Sequence, residues 1–199
     1  MRRKAFSHKL DNHAVPITDH QRWGEGRKSG REMNQKSEIR KLQNSGEAEK
    51  CARMMTESEP WRLLCQTYDV SLKTVIDPSR EIYLALMNGE VIGFVILHMR
   101  GVLPGYIQAV CVAPEWRNKG MGSQLMVFAE ERIFRETSSA FICASPFSED
   151  ALRLYERLGY EVTMKSSVDS EILLRKRRDS TKELEEGTMP SPPLNGSAP

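Results

Sequence analysis

The sequence predicts a mixed α/β sandwich, and three local patterns carry that prediction. Apolar segments 82–87 and 91–99 flank Asn88-Gly89, a dipeptide that tolerates the positive φ angles of a tight two-residue turn, so the two segments pair as an antiparallel hairpin. Further on, an apolar run at 106–112 leads through a glycine-rich turn at 117–122 into a helical pattern from Ser123, and then into a second apolar run at 140–144. Strand, turn, helix and strand in that order imply a parallel crossover. Helical periodicity is the third pattern: Ala48, Cys51, Ala52 and Met55 share one helix face, and Leu125, Met126, Ala129 and Ile133 share another.

The other elements fall into place around these. Residues 38–42 form a first strand, and Ser45-Gly46-Glu47-Ala48 opens the first helix. Pro60-Trp61 begins a second helix, because proline suits a first turn, and the two helices are expected to cover one sheet face. The third helix spans 123–135 and the fifth strand 140–144. Ser148 or a close neighbour caps a fourth helix whose positive end suits Glu149 and Asp150 and whose end suits Gly159, and strands at 160–164 and 171–175 complete the fold. The expected architecture is a mixed, mostly antiparallel sheet of about seven strands flanked by four helices.

Bulk properties bound the function. At 199 residues the chain suits one domain with tails. A net charge of +2 gives no whole-protein attraction to nucleic acid or to a membrane surface, and neither is expected as a partner. Cys51, Cys65, Cys111 and Cys143 lie far apart and form no Cys-x-x-Cys pair, so they read as buried free thiols in a reducing cytoplasm, with no metal site. No apolar run reaches the roughly 18 residues that span a bilayer. Residues 1–32 are basic and polar, residues 179–199 are rich in Glu, Pro, Ser and Gly, and both are expected to be disordered around a folded domain at 37–178.

Arg117-Asn118-Lys119-Gly120-Met121-Gly122 is the segment richest in chemistry. A glycine-rich turn from strand to helix lets backbone N–H groups converge on an anion, and the helix dipole adds attraction, so a diphosphate is the natural ligand. A dinucleotide fingerprint would need glycine at Leu125, and a nucleotide-hydrolase loop would need a Gly-Lys-Ser/Thr ending that the chain lacks.

Val110-Cys111-Val112-Ala113-Pro114-Glu115-Trp116 leads directly into this loop, and Ala151-Leu152-Arg153-Leu154-Tyr155-Glu156-Arg157-Leu158-Gly159-Tyr160 follows downstream. Together these segments resemble the GNAT superfamily of acetyl-CoA-dependent N-acetyltransferases, over residues 39–176. The resemblance implies the family's fold, splayed between strands 4 and 5. It also implies that acetyl-CoA is the co-substrate, with Val110, Cys111 and Val112 beside the pantetheine arm. Arg117, Asn118, Lys119, Gly120, Met121, Gly122 and Ser123 would enclose the pyrophosphate. Ser148 stands where many members carry a CoA-contacting asparagine.

Acetyl transfer needs an unprotonated amine, a stabilised oxyanion and a proton for the departing thiolate. The resemblance gives Tyr155 the third task. Its spacing with Ala151, Leu154 and Leu158 equally describes a core residue on an apolar helix stripe. Members that acetylate ribosomal-protein N-termini carry a glutamate base on strand five, where this chain has Cys143. Gln108 and Tyr106 are placed to organise a water, Glu59 and His98 are further candidates, and the base stays unassigned at this level. Trp61 and Arg100 are candidates for the acceptor pocket. The expected activity is N-acetylation of a primary amine, on a small molecule or a peptide, in a ternary complex by a monomer or homodimer. The alternative is a non-catalytic acyl-CoA-binding sensor or interaction module.

Overall fold

A computed structural model describes residues 15–16, 37–146, 148–165 and 171–178. Nearly all of the segments expected to be disordered, 1–32 and 179–199, lie outside those residues. The strands are β1 (Ser37–Lys41), β2 (Glu81–Met87), β3 (Glu90–His98), β4 (Tyr106–Val112), β5 (Ser139–Ala144), β6 (Glu161–Lys165) and β7 (Ile172–Arg177). They form one sheet in the order β1-β2-β3-β4-β5-β7-β6, and a two-residue strand, Val15–Pro16, pairs antiparallel with the outer edge of β1. All neighbours are antiparallel except β4 and β5.

Helices α1 (Ser45–Glu57) and α2 (Tyr68–Val75) pack on one face, and α3 (Met121–Phe134) and α4 (Glu149–Arg157) on the other. The α1/α2 core joins Ala48, Cys51, Met55 and Val75 to Leu84, Phe94, Ile96, Ala109 and Cys111. The α3/α4 core joins Leu125, Met126, Ala129 and Ile133 to Val95, Leu97, Ile107, Ile142 and Leu174. The expected inward positions of α1 and α3 are all buried, whereas on the α4 stripe Tyr155 is buried and Ala151, Leu154 and Leu158 are half-buried. The hairpin also forms as expected, with Asn88 at φ 52° and Gly89 at φ 83°.

Two expectations are corrected. The second helix starts at Tyr68 rather than at Pro60, because the Thr67 hydroxyl accepts from Val70 N–H and so caps α2 there, while Cys65 at φ 53° interrupts the preceding turns. Cysteine burial is the other: all four are free thiols, but Cys65 is exposed and Cys143 only half-buried. Among the described residues no helix is long and apolar enough to cross a membrane.

Gly105 holds three strands together at the point where β4 begins. Its N–H donates to His98 carbonyl at 2.9 Å and its carbonyl accepts from Phe141 N–H at 3.0 Å, at φ +82°. An added Cβ would stand 2.6 Å from the Ser139 carbonyl oxygen, a backbone atom that cannot swing aside. Gly105→Ala is therefore expected to cost about 2 kcal/mol or more and to lower Tm by roughly 5–10 °C in a calorimetric scan.

Candidate active site

Strands β4 and β5 pair through only two residue pairs, Tyr106 with Phe141 and Ile107 with Ile142, and then separate. Beyond that fork the peptide groups of 108–112 that point toward β5 have no strand partner there. The other edge of β4 stays fixed to β3, with one irregularity: Leu97 opposes Ile107 while Ile96 opposes Ala109, so Gln108 is an extra residue. This bulge switches which side chains face each layer. Ile107 belongs to the α3/α4 core, whereas Ala109 and Cys111 belong to the α1/α2 core, and Val110 and Val112 lean toward α3 and α4. The Gln108 side chain is held by His98, with Oε1 at 2.9 Å from Nε2.

The glycine loop closes the wide end of the fork. A 3-10 turn, Pro114–Trp116, precedes it, Asn118 adopts φ 58°, and Gly120 at φ 83° is the N-cap of α3. The helix thus begins at Met121, two residues before the expected start. No side chain caps it, and Gln124 N–H is already bonded to the Gly120 carbonyl, so the N–H groups of Met121, Gly122 and Ser123 are the ones without intrahelical acceptors. They open on a cavity of about 390 Å³ that Asn118, Gly120, Gly122 and Ser123 line from one side and Ala151, Leu154 and Arg157 of α4 from the other. Two expected binding side chains turn elsewhere. Met121 is buried in the α3/α4 core, and the Lys119 ammonium sits 5.0 Å above the Trp116 ring.

A larger cleft of about 570 Å³ shares Val112, Arg117, Asp150 and Ala151 with the first, and extends past Val110, Cys111 and Ser148 to Ser58, Glu59 and Trp61 in the α1–α2 connection. Arg117 ties its walls together: Nε donates to the Val112 carbonyl at 3.0 Å and a terminal nitrogen donates to Ser58 Oγ at 3.2 Å. The Cys111 thiol also approaches Ser58 Oγ, at 3.5 Å, and burial pushes it up from its ordinary range, so it is an inert packing group. Ser148 occupies the N-cap position of α4 without a side-chain capping bond. Glu59 is engaged by Arg62 at 2.7 Å, and Trp61 lines the cleft while packing against the α1/α2 core, whereas Arg100 lines a separate cavity with His98.

Tyr155 stands on the α4 side of the fork. It is 7% exposed, its ring lies 6.0 Å from that of Tyr160, and burial pushes its phenol up to about 12. Its hydroxyl makes no hydrogen bond among the described residues, and Tyr155 lines neither cavity described above. Across the gap it is an electrostatic neighbour of Tyr106. The Tyr106 hydroxyl and the Glu171 carboxylate both lie against the Cys143 thiol. Sequence reasoning picked out Tyr106 and the strand-five position of Cys143 but passed over Glu171 and Ser58. Neither has a local signal: each meets its partner only through the tertiary pairing.

The model of the acetyltransferase (GNAT) family matches residues 47–160, more than half of the chain. The chain belongs to the GNAT family. Among curated proteins, this chain is similar to the aminoalkylphosphonate N-acetyltransferase of Salmonella typhimurium, 37% identical over 93 residues. The match covers 44% of this chain and spans 60% of that relative's length. Among solved structures, the PaiA N-acetyltransferase of Thermoplasma acidophilum, in complex with coenzyme A, superposes with a TM-score of 0.58 at 16% identity, over 71% of this chain and 99% of that one. Ard1 of Thermoplasma volcanium gives 0.58 at 19% identity, over 71% and 97%. At these identities the structural likeness shows the GNAT fold.

Proposed function

We propose that this GNAT protein transfers the acetyl group of acetyl-CoA to a primary amine by direct attack in a ternary complex. The observation that carries the reading is the fork itself: an unpaired strand edge runs from the bulge at Gln108 to a glycine loop whose helix N-terminus faces a cavity. Such an edge offers amide and carbonyl groups to a pantetheine chain, and the N–H groups of 121–123 offer donors to a pyrophosphate. Gly120, Gly122, Asn118 and Ser123 hold that anion, and Val110 and Val112 flank the chain leading to the fork. Arg117 braces the loop through the Val112 carbonyl and adds an unneutralised charge, since it makes no ion pair among the described residues. Ser148 borders the same cleft.

Acetyl-CoA supplies the thioester carbonyl that the amine attacks. A strand-four amide near Val110 steadies the oxygen that becomes negative, and Tyr155 gives its proton to the sulfur as the carbon–sulfur bond breaks. Burial keeps that phenol protonated at neutral pH. The acceptor belongs to the small-molecule amines, a reading supported by the relative named for aminoalkylphosphonates.

Thiol release from acetyl-CoA, measured across a panel of aminoalkylphosphonates, other small primary amines and peptides with free N-termini, tests the proposal. Release with the small amines, above that with peptides, is expected. Tight CoA binding with no release from any amine would instead mark a non-catalytic acyl-CoA sensor.

A further inference from the structure

The gap between β4 and β5 has two faces, and Tyr155 occupies only the one toward α3 and α4. On β5, Ala140, Ile142 and Ala144 face the α3/α4 core, so Cys143 points to the opposite side. On β7, Leu174 is buried in that core and Ile172 packs against it, so Leu173 falls on the opposite side, directly across from Cys143, and the alternation carried one residue before the strand puts Glu171 on that side too. Tyr106 joins them, because its neighbour Ile107 faces the α3/α4 core. Helices α1 and α2 do not cover this patch: their core draws on β2, β3 and β4, and among the described residues no β5 or β7 residue belongs to it. An open floor results, with Cys143 one residue past the last β4–β5 pair and the exposed Glu171 carboxylate against its thiol.

We propose that Glu171 is the residue that binds the ammonium form of the acceptor and removes its proton, receiving the amine on the face of the sheet opposite Tyr155. The proposal rests on the acetyl-transfer reading and adds to it the missing base. A carboxylate at the position of Cys143 would reach the fork from β5. Here the strand order places β7 beside β5, so a carboxylate two residues before Leu173 reaches the same point from the neighbouring strand. Cys143 itself does not serve, since burial, reinforced by the Glu171 charge, holds its thiol above its ordinary range and so protonated at neutral pH.

The step balances. R–NH₃⁺ gives one proton to the Glu171 carboxylate, and the freed lone pair forms the new carbon–nitrogen bond. The sulfur leaves with its bonding pair and takes the Tyr155 proton. The second proton lost from nitrogen returns to the Tyr155 oxygen through water, and Glu171 discharges its own to solvent. Tyr106, an electrostatic neighbour of both Glu171 and Tyr155, stands in the first β4–β5 pair, at the closed end of the gap. Among the described residues, the other charged or titratable groups on the neighbouring elements are Cys143 of β5, Lys165 of β6 opposite Ile172, Arg175 further along the same face of β7, and His98, the cross-strand neighbour of Tyr106.

The test uses the full chain with acetyl-CoA and 2-aminoethylphosphonate as the probe amine, in wild type, Glu171→Gln and the double variant Glu171→Gln, Cys143→Glu. With Glu171→Gln, kcat/KM for the amine should fall on the order of tenfold at neutral pH, below the usual general-base effect because water reaches an exposed site. The deficit should narrow as the pH approaches the amine's own pKa, where free amine no longer needs a base, while CoA affinity and Tm stay unchanged. The double variant should recover activity. A merely structural role would give a deficit that does not depend on pH, and that result, or full activity of Glu171→Gln, overturns the proposal while leaving acetyl transfer standing. A wild-type chain inactive with every amine in the panel overturns both.

Discussion

Tyr155→Phe is expected to lower kcat by about 10²-fold with acetyl-CoA and amine both saturating, while CoA affinity and Tm change little. The substitution keeps the ring that packs in the α3/α4 core and removes only the hydroxyl. That hydroxyl makes no hydrogen bond among the described residues, so its loss leaves no partner unsatisfied and offers no structural route to a large effect. The chemistry offers one. Burial holds the phenol at about 12, so it is fully protonated at neutral pH and remains so well into the alkaline range. An acid must be protonated to act, and the sign is therefore favourable: no alkaline loss of activity from Tyr155 should be seen below about pH 10.

The same burial makes the phenol a reluctant donor against an ordinary thiol near 8.5. What rescues the transfer is that the thiolate forms in the same desolvated gap, where its own proton affinity is raised for the same reason. Steady-state kinetics with calorimetric CoA binding separates the readings. Unchanged kcat under conditions where chemistry limits the rate would leave Tyr155 as a core residue only.

What could be read from the sequence follows from how local each signal is. The Asn88-Gly89 turn, strand β4 and the glycine turn into α3 depend on contacts within a few residues; the first two lie where expected, and the third gives way to helix two residues early, at Met121. Pro60 misled because a proline suited to a first turn competes with the Thr67 cap, and the side-chain bond to Val70 N–H won. The base was illegible for a different reason. Glu171 reaches the fork only because β7 lies between β5 and β6, and no spacing along the chain announces that crossover. Ser58 likewise meets Arg117 across 59 residues. The bulge at Gln108, which turns Ala109 and Cys111 to the other core, is a property of the β3–β4 register and leaves no mark in an alternating apolar run.

The glycine loop yields the second large effect, and two glycines separate its possible causes. Gly120 needs its left-handed φ of 83°, yet an added Cβ there would meet nothing within 4 Å. Gly120→Val therefore distorts the backbone rather than colliding with it. The distortion costs about 1–2 kcal/mol and falls on the turn that aims the N–H groups of 121–123 at the cavity. Gly122 is the converse: it lies inside α3 without a positive φ, and a Cβ would touch Leu154 at an ordinary 3.5 Å while entering the cavity. Gly122→Val should thus leave Tm unchanged or slightly raised, because valine is a better helix former than glycine by about a few tenths of a kcal/mol.

If the cavity holds the pyrophosphate, both variants should bind CoA about 30-fold more weakly by calorimetry, roughly 2 kcal/mol, through misaimed donors in one case and filled space in the other. Weakening in Gly120→Val alone, accompanied by a fall in Tm, would mean that the loop matters to the fold and that the anion binds elsewhere. Unchanged affinity in Gly122→Val is the outcome that removes the pyrophosphate from this cavity.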